Sequence, residues 1–248
     1  MTTTPDRLFA EPRLAELYDE MCAGRPDFAF YLPLVRNAGS VLDVGCGTGE
    51  LLRLARDGGH TGRLTGLDPA AGMLGVARRA RTDVEWVRGD LSTVGFAGEF
   101  DLVVMTGHAF QVLLTDDEVR GALAAMRAAL APGGRVVFET RNPEVEAWRE
   151  WTAGRVSEAR GSDGIVRCRA EGAAADGEFV SFSATYECDA WDAPEVSHSR
   201  LRFLSAEALD GFLDEAGLEL LDRYGDWDAS PYGPGSPEII SILGRRGA

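Results

Sequence analysis

The chain has 248 residues, of which 45% are apolar, and carries a net charge of −15. Its 25 basic residues are all arginine, which excludes a Schiff-base lysine, a phosphate-loop lysine and any lysine general base. The acidic balance argues against a nucleic-acid partner, because phosphate binding relies on clustered basic side chains, and the single basic trio, Arg78, Arg79 and Arg81, falls on the solvent face of a predicted helix.

The length fits one domain, or one domain with a sizeable insertion. The N-terminus, MTTTPDRLFAEPR, lacks the apolar core of a signal peptide. No apolar run approaches the roughly 18 residues that cross a bilayer, so a cytoplasmic protein without a membrane partner is expected. In LAELYDEM, Leu14, Leu17, Tyr18 and Met21 recur at helical spacing. Arg25, Phe28 and Tyr31 follow, and Tyr31 is a candidate pocket residue. Ser40 to Glu50 then reads SVLDVGCGTGE. Val41, Leu42 and Val44, with Asp43 among them, form a short apolar run that reads as a buried parallel strand. Gly45, Gly47 and Gly49 make the turn into the next helix, where bare backbone lets a ligand lie close to helix N-terminal amides. Cys46 is a small side chain tolerated in that tight turn. Glu50 stands where a dinucleotide fingerprint needs an almost absent side chain, which weakens a nicotinamide or flavin reading. RLTGLD is the second strand, and Asp68 at its end lies about 20 residues past the loop, where a ribose-binding carboxylate belongs. Pro69 to Ala80 is the second helix, and VEWVRGD the third strand, closed by Asp90.

FDLVVM is the fourth strand. The ligand crevice of a doubly wound sheet lies beyond the carboxyl ends of its strands, which brings Thr106 and the segment after it to the site. His108 is the best general-base candidate, with an unperturbed pKa near 6.5; the alternative is a ring that only packs. Thr115 and Glu118 form a capping box that opens a helix, ended by Pro132-Gly133-Gly134, and RVVFETR is the fifth strand. From Trp148 to Phe203, alternating segments with Gly and Asp turns predict three or four antiparallel strands. Cys168 and Cys188 can face each other across a hairpin there but are expected as free thiols; with no C-x-x-C and three histidines, no metal site is expected. A helix capped by Ser205 and a final hairpin of two strands close the chain, with Trp227 and Tyr232 in the loop between those strands.

The series VLDVGCGTGE, LTGLDPAAGML, VRGDL, FDLVVM and LAPGGRVVFE resembles the ordered motifs of class I S-adenosylmethionine-dependent methyltransferases over roughly residues 40–140. The resemblance implies an α/β fold with a doubly wound, seven-stranded, mostly parallel sheet, its last strand antiparallel, and an antiparallel β insertion after strand five. It implies a helical lid over 1–38, a cofactor domain over 39–147 and 204–248, and a cap over 148–203. S-Adenosyl-L-methionine is the implied cofactor. Asp43, Gly45, Cys46, Gly47, Gly49 and Thr106 are expected around it, with Asp68 on the ribose, Pro69 and Met73 against the adenine, and Asp90 with the Leu91 amide on the adenine edge. Tyr18 is expected to fold over the cofactor and to assist proton removal, or else to be a core tyrosine; Met73 has the same core alternative. The end of strand five is similar to glycine N-methyltransferase and its relatives, which implies Arg141 and Asn142 at the acceptor, where Arg141 can hold a carboxylate or form a structural ion pair. Trp148, Trp151, Tyr186 and Arg200 are candidates for lining that pocket. The insertion is suggestive of sugar N-methyltransferases.

These features imply methyl transfer to N, O or C of a small-molecule acceptor by in-line displacement, with a homodimer left open. The Thr-Gly-His-Ala-Phe segment departs from the Asn/Asp-Pro-Pro-aromatic pattern of enzymes that methylate nucleic-acid bases. The competing readings are a non-catalytic S-adenosylmethionine-binding module and a protein or RNA methyltransferase.

Overall fold

The computed structural model describes residues 4–247. Four short helices open the chain: α1 (Arg7–Ala10), α2 (Pro12–Ala15), α3 (Tyr18–Met21) and α4 (Asp27–Asn37). The alternating unit follows as β1 (Ser40–Val44), α5 (Glu50–Asp57), β2 (Arg63–Asp68), α6 (Ala71–Ala80), β3 (Glu85–Arg88), β4 (Phe100–Met105), α7 (Asp116–Ala129) and β5 (Leu130–Arg141). Next come β6 (Val156–Gly161), β7 (Gly164–Asp176), β8 (Phe179–Cys188) and β9 (Glu195–Arg202), then α8 (Ala206–Ala216), β10 (Leu218–Tyr224) and β11 (Glu238–Arg245).

Among the described residues the strands form a seven-stranded sheet in the order β10-β11-β5-β4-β1-β2-β3 and a four-stranded sheet in the order β6-β7-β8-β9. β11 pairs antiparallel with both β5 and β10, whereas β1, β2, β3, β4 and β5 pair in parallel. The chain leaves β1 for β2 on one side and returns to β4 on the other, so the order reverses at β1. A ligand crevice forms beyond the carboxyl ends at such a reversal.

Both faces of the large sheet are buried, as its apolar strands predict. Leu42, Val103, Phe138 and Ile239 pack with α7 and α8 on one face; Val41, Val104 and Val137 pack with α4 and α5 on the other. Phe110 stacks on Phe138 with ring centroids 4.2 Å apart, which anchors the segment after β4 to β5. The Thr115 capping box opens α7, its hydroxyl 3.2 Å from the Glu118 amide. Gly217, at φ 67°, ends α8.

Two local expectations are corrected. LAELYDEM is not one helix: it breaks between Ala15 and Tyr18, because Leu14 and Leu17 turn toward the four-stranded sheet while Ala15 and Tyr18 turn toward α6. Pro132-Gly133-Gly134 is not a turn ending α7. It lies within β5, which starts at Leu130 opposite Phe100 and shifts register before Arg135 meets Leu102.

Candidate cofactor and acceptor crevice

The chain leaves β1 through three left-handed glycines, Gly45 (φ 69°), Gly47 (φ 56°) and Gly49 (φ 76°). Gly49 is required twice over. Besides its dihedral, a Cβ there would lie 2.2 Å from Cη2 of Trp86, whose indole is fixed by a 2.9 Å hydrogen bond to the Arg81 carbonyl. Gly47 differs, since a Cβ built on it meets no protein atom within 4 Å. The backbone at Gly47 therefore borders open space beside the N-terminus of α5.

Asp43 is buried in β1, and its Oδ1 has no hydrogen-bond partner. Burial raises its pKa to about 8; Arg25 opposes this, and Asp68 and Glu139 add to it. A buried carboxylate without a partner suits a positively charged group brought against it. Asp68 ends β2 and is nine-tenths buried. It accepts the Gly47 amide at 2.9 Å and the Ala70 amide at 2.7 Å, so it braces the glycine elbow from below. Past β3, a cleft of about 430 Å³ is lined by Thr4, Pro5, Pro69, Gly89, Asp90 and Thr93. The partial burial of Asp90 is outweighed by hydrogen bonds from Ser92 and Thr93, and its carboxyl stays ionised.

On the other side of the crevice, Thr106 is buried at the end of β4 and His108 adopts a left-handed backbone (φ 61°). Glu139 on β5 holds that conformation by accepting the His108 amide at 2.7 Å, and it also accepts the Tyr31 hydroxyl. The imidazole Nε2 lies 2.9 Å from Oε2 of Glu238, the first residue of β11. Burial, reinforced by Arg141, lowers the His108 pKa to about 4, while burial raises that of Glu238 to about 8. Arg141 donates to Gln111 Oε1 at 3.0 Å and lies 5.1 Å over the Trp151 ring. Among the described residues no carboxylate reaches ion-pair distance of Arg141, so the structural ion pair weighed from sequence is absent. Arg25 pairs with Asp27 and approaches Gly107. Trp227 stands edge-on to His108 and Phe30 and is tilted against Tyr31.

Several residues nominated from sequence lie elsewhere. Met73 is enclosed with Ala15 and Ala70 and is core under the N-terminal helices, not part of the cleft. Tyr186 is buried among Leu14, Leu17 and Val166 and seals the small sheet to the N-terminus instead of lining a pocket. Asn142 is a brace: its amide donates to the Ser236 carbonyl at 2.8 Å and its Oδ1 caps Glu144. Trp148, Trp151 and Arg200 border a broad concavity of about 1010 Å³ on the small sheet. Leu91 is half-buried against the main core. Tyr18 is half-buried with its ring 5.9 Å from that of Phe9, and desolvation pushes its phenol upward, so at neutral pH it is a donor and not a base. Cys168 and Cys188 are not opposite one another; their register partners are Tyr186 and Val166, and both are free thiols, as are Cys22 and Cys46. Sequence reasoning did not nominate Asp27, Glu139 or Glu238, and it reached Gln111 only as part of the segment that follows Thr106. A lone acid at the apolar end of RVVFET was the one available signal for Glu139; Glu238 is brought in by pairing across 130 positions.

A seven-stranded sheet whose order reverses at β1 and whose last strand runs antiparallel, with a glycine elbow after the first strand, is the fold of class I S-adenosylmethionine-dependent methyltransferases. Residues 41–134 match the family model described as a methyltransferase domain, and over that stretch the chain is similar to class I S-adenosylmethionine-dependent methyltransferases. It is 34% identical over 135 residues to dTDP-3-amino-3,6-dideoxy-alpha-D-glucopyranose N,N-dimethyltransferase of Streptomyces fradiae, covering 51% of this chain and 52% of the relative. It is 26% identical over 208 residues to the cypemycin N-terminal methyltransferase of a Streptomyces species, covering 84% and 83%. The solved structure of an amino pentose methyltransferase from Micromonospora echinaspora with S-adenosylmethionine bound is 26% identical, with a TM-score of 0.62 over 87% of this chain and 88% of that one. The chain spans about half the length, 52%, of the first curated relative it matches. Among the described residues no helix is long and apolar enough to cross a membrane.

Proposed function

We propose that the protein transfers the methyl group of S-adenosylmethionine to an amine nitrogen of a small-molecule acceptor. The observation that carries this reading is the partnerless Asp43 oxygen beside the open backbone at Gly47. Bound there, the cofactor supplies a methyl group already activated by its sulfonium. The backbone of Gly45, Cys46, Gly47 and Gly49 lies against it and Asp43 meets its positive charge. Asp68 holds the ribose, and Pro69, Asp90 and the Leu91 amide hold the adenine. The lid is 1–38, the cofactor domain 39–147 and 204–248, and the cap 148–203.

The rest is alignment and proton removal. Thr106 and His108 stand at the methyl end of the crevice, and Tyr31 and Trp227 keep water out. His108 carries no positive charge at neutral pH, and in the tautomer that leaves one ring nitrogen bare it takes the proton that the amine gives up, a contribution of roughly 100-fold or more in such chemistry; the larger share comes from holding nitrogen and methyl in line. Arg141, with Gln111, offers guanidinium donors to a polar group of the acceptor, and Trp148, Trp151 and Arg200 meet the remainder of it. A positively charged or proton-yielding acceptor suits a crevice whose raised Asp43 and Glu238 carboxyls lose their protons most readily beside a positive group. Among the similar proteins, an amino-sugar N,N-dimethyltransferase, an N-terminal methyltransferase and an amino pentose methyltransferase support the same reading.

A second reading, methylation of a peptide N-terminus, is favoured by the relative matched over 83% of its length. Release of S-adenosylhomocysteine on adding amino sugars, or peptides with a free N-terminus, separates the two. Binding of S-adenosylmethionine without release from either set counts against methyl transfer to amines.

A further inference from the structure

The pairing of His108 with Glu238 does more than fix a ring. We propose that Glu238 is a positioning residue that sets the tautomer of His108: one proton lies between the Glu238 carboxyl and Nε2, and its departure moves the ring N–H onto Nε2 and frees the Nδ1 lone pair to act as a base.

This inference rests on the methyl-transfer reading only for the use of the base; the pair itself stands on geometry. Both carboxylate oxygens of Glu238 lie within hydrogen-bond distance of Nε2, at 2.9 and 3.1 Å, and both side chains are largely withdrawn from water. The pair is held from several sides. Register places Glu238 opposite Arg141 on β5, Glu139 clamps the His108 amide, and the Trp227 ring stands edge-on to the imidazole. The charged groups facing the pair are Arg141 and Glu139 from β5, Arg25 and Asp27 from the start of α4, and Asp226 from the loop before β11. Burial favours the uncharged form of each partner, so with its proton on, Glu238 donates to Nε2 and the imidazole carries its own hydrogen on Nδ1. That ring is a donor. Once Glu238 is ionised it can only accept, Nε2 must carry the hydrogen, and Nδ1 is left with its lone pair. In the reacting direction the proton balance closes: the amine proton goes to Nδ1 as the Nε2 proton returns to Glu238, so no net charge is created in the buried site. The two groups titrate as a unit.

The test is nitrogen-15 NMR of the three histidine side chains, with His60→Asn and His198→Asn to assign the His108 signals. Spectra are taken from pH 6 to 9.5, with and without S-adenosylhomocysteine. In the wild-type protein the His108 nitrogens exchange character, Nδ1 from N–H to bare and Nε2 the reverse, through a midpoint near the Glu238 value of about 8. Glu238→Gln, which keeps the shape and removes the titration, abolishes that step. A wild-type His108 with one tautomer throughout, or a step that persists in Glu238→Gln, overturns the proposal. Should Glu238→Gln not fold, the presence or absence of the wild-type step decides alone. Failure of the methyl-transfer reading shows separately, as lack of S-adenosylmethionine binding by calorimetry with the tautomer step intact.

Discussion

Gly47 and Gly49 make a paired experiment. Both have left-handed dihedrals, which cost an L-residue about 1–2 kcal/mol, so alanine at either position destabilises the chain by at least that much. At Gly49 the new methyl also lands 2.2 Å from the Trp86 ring. The ring is tethered through Nε1 and does not swing aside freely, which adds an overpacking cost of about 1–3 kcal/mol. Gly49→Ala is therefore expected to lose about 2–5 kcal/mol, or roughly 5–20 °C in Tm for a chain of this size. Gly47→Ala meets no protein atom and stops at the dihedral cost, roughly 2–8 °C. Its methyl occupies the space assigned to the cofactor, where a similar overlap of about 1–3 kcal/mol weakens binding roughly 5- to 150-fold. Thermal melting and calorimetric titration with S-adenosylhomocysteine measure both quantities on both variants. If Gly47→Ala binds like the wild type, no ligand lies over that backbone and the cofactor assignment is wrong. Equal melting losses in the two variants would remove the role given to Trp86.

Asp68→Ala removes a carboxylate that accepts two backbone amides and, in the proposed complex, the ribose hydroxyls. Losing charged hydrogen bonds of about 1.5–3 kcal/mol should weaken S-adenosylmethionine at least 10-fold in the same titration, and unchanged binding removes the ribose role. The raised Asp43 carboxyl must lose its proton before it can meet a positive group, so S-adenosylmethionine affinity should rise from pH 6 to about 8 with proton release. Calorimetry in buffers of different ionisation heats reads that release; in Asp43→Asn it should vanish. Tyr31→Phe leaves the buried Glu139 with the His108 amide as its remaining partner and is expected to cost about 1–3 kcal/mol of stability. A denaturant midpoint identical to wild type would show that the hydroxyl contributes nothing.

The parts of the site made by adjacent residues were legible from sequence. The glycine elbow, Asp68 and Asp90 are fixed by strand ends and turn residues, and Pro69 and Asp90 do border the cleft. Helical and strand periodicity reports which face is apolar but not which layer receives it. For that reason Tyr186 was nominated for a pocket and lies in core, and LAELYDEM was given one helix although its apolar residues divide between two surfaces. The side proposed to handle the proton was half legible. His108 announces itself as the one histidine past the end of a parallel strand, but its partners come from β5 and β11, whose registers against their neighbours no local pattern specifies.

The reversed direction of β11 carries a consequence for assembly. A strand that runs against its neighbours begins where they finish, so its opening residue, Glu238, is delivered to the same rim as the last residues of β1 and β4. The half proposed to face the nucleoside is written in a continuous stretch of about fifty residues from Ser40 to Asp90. The pairing of Glu238 with His108, on the side proposed for the acceptor, exists only when the antiparallel strand has slotted between β5 and β10.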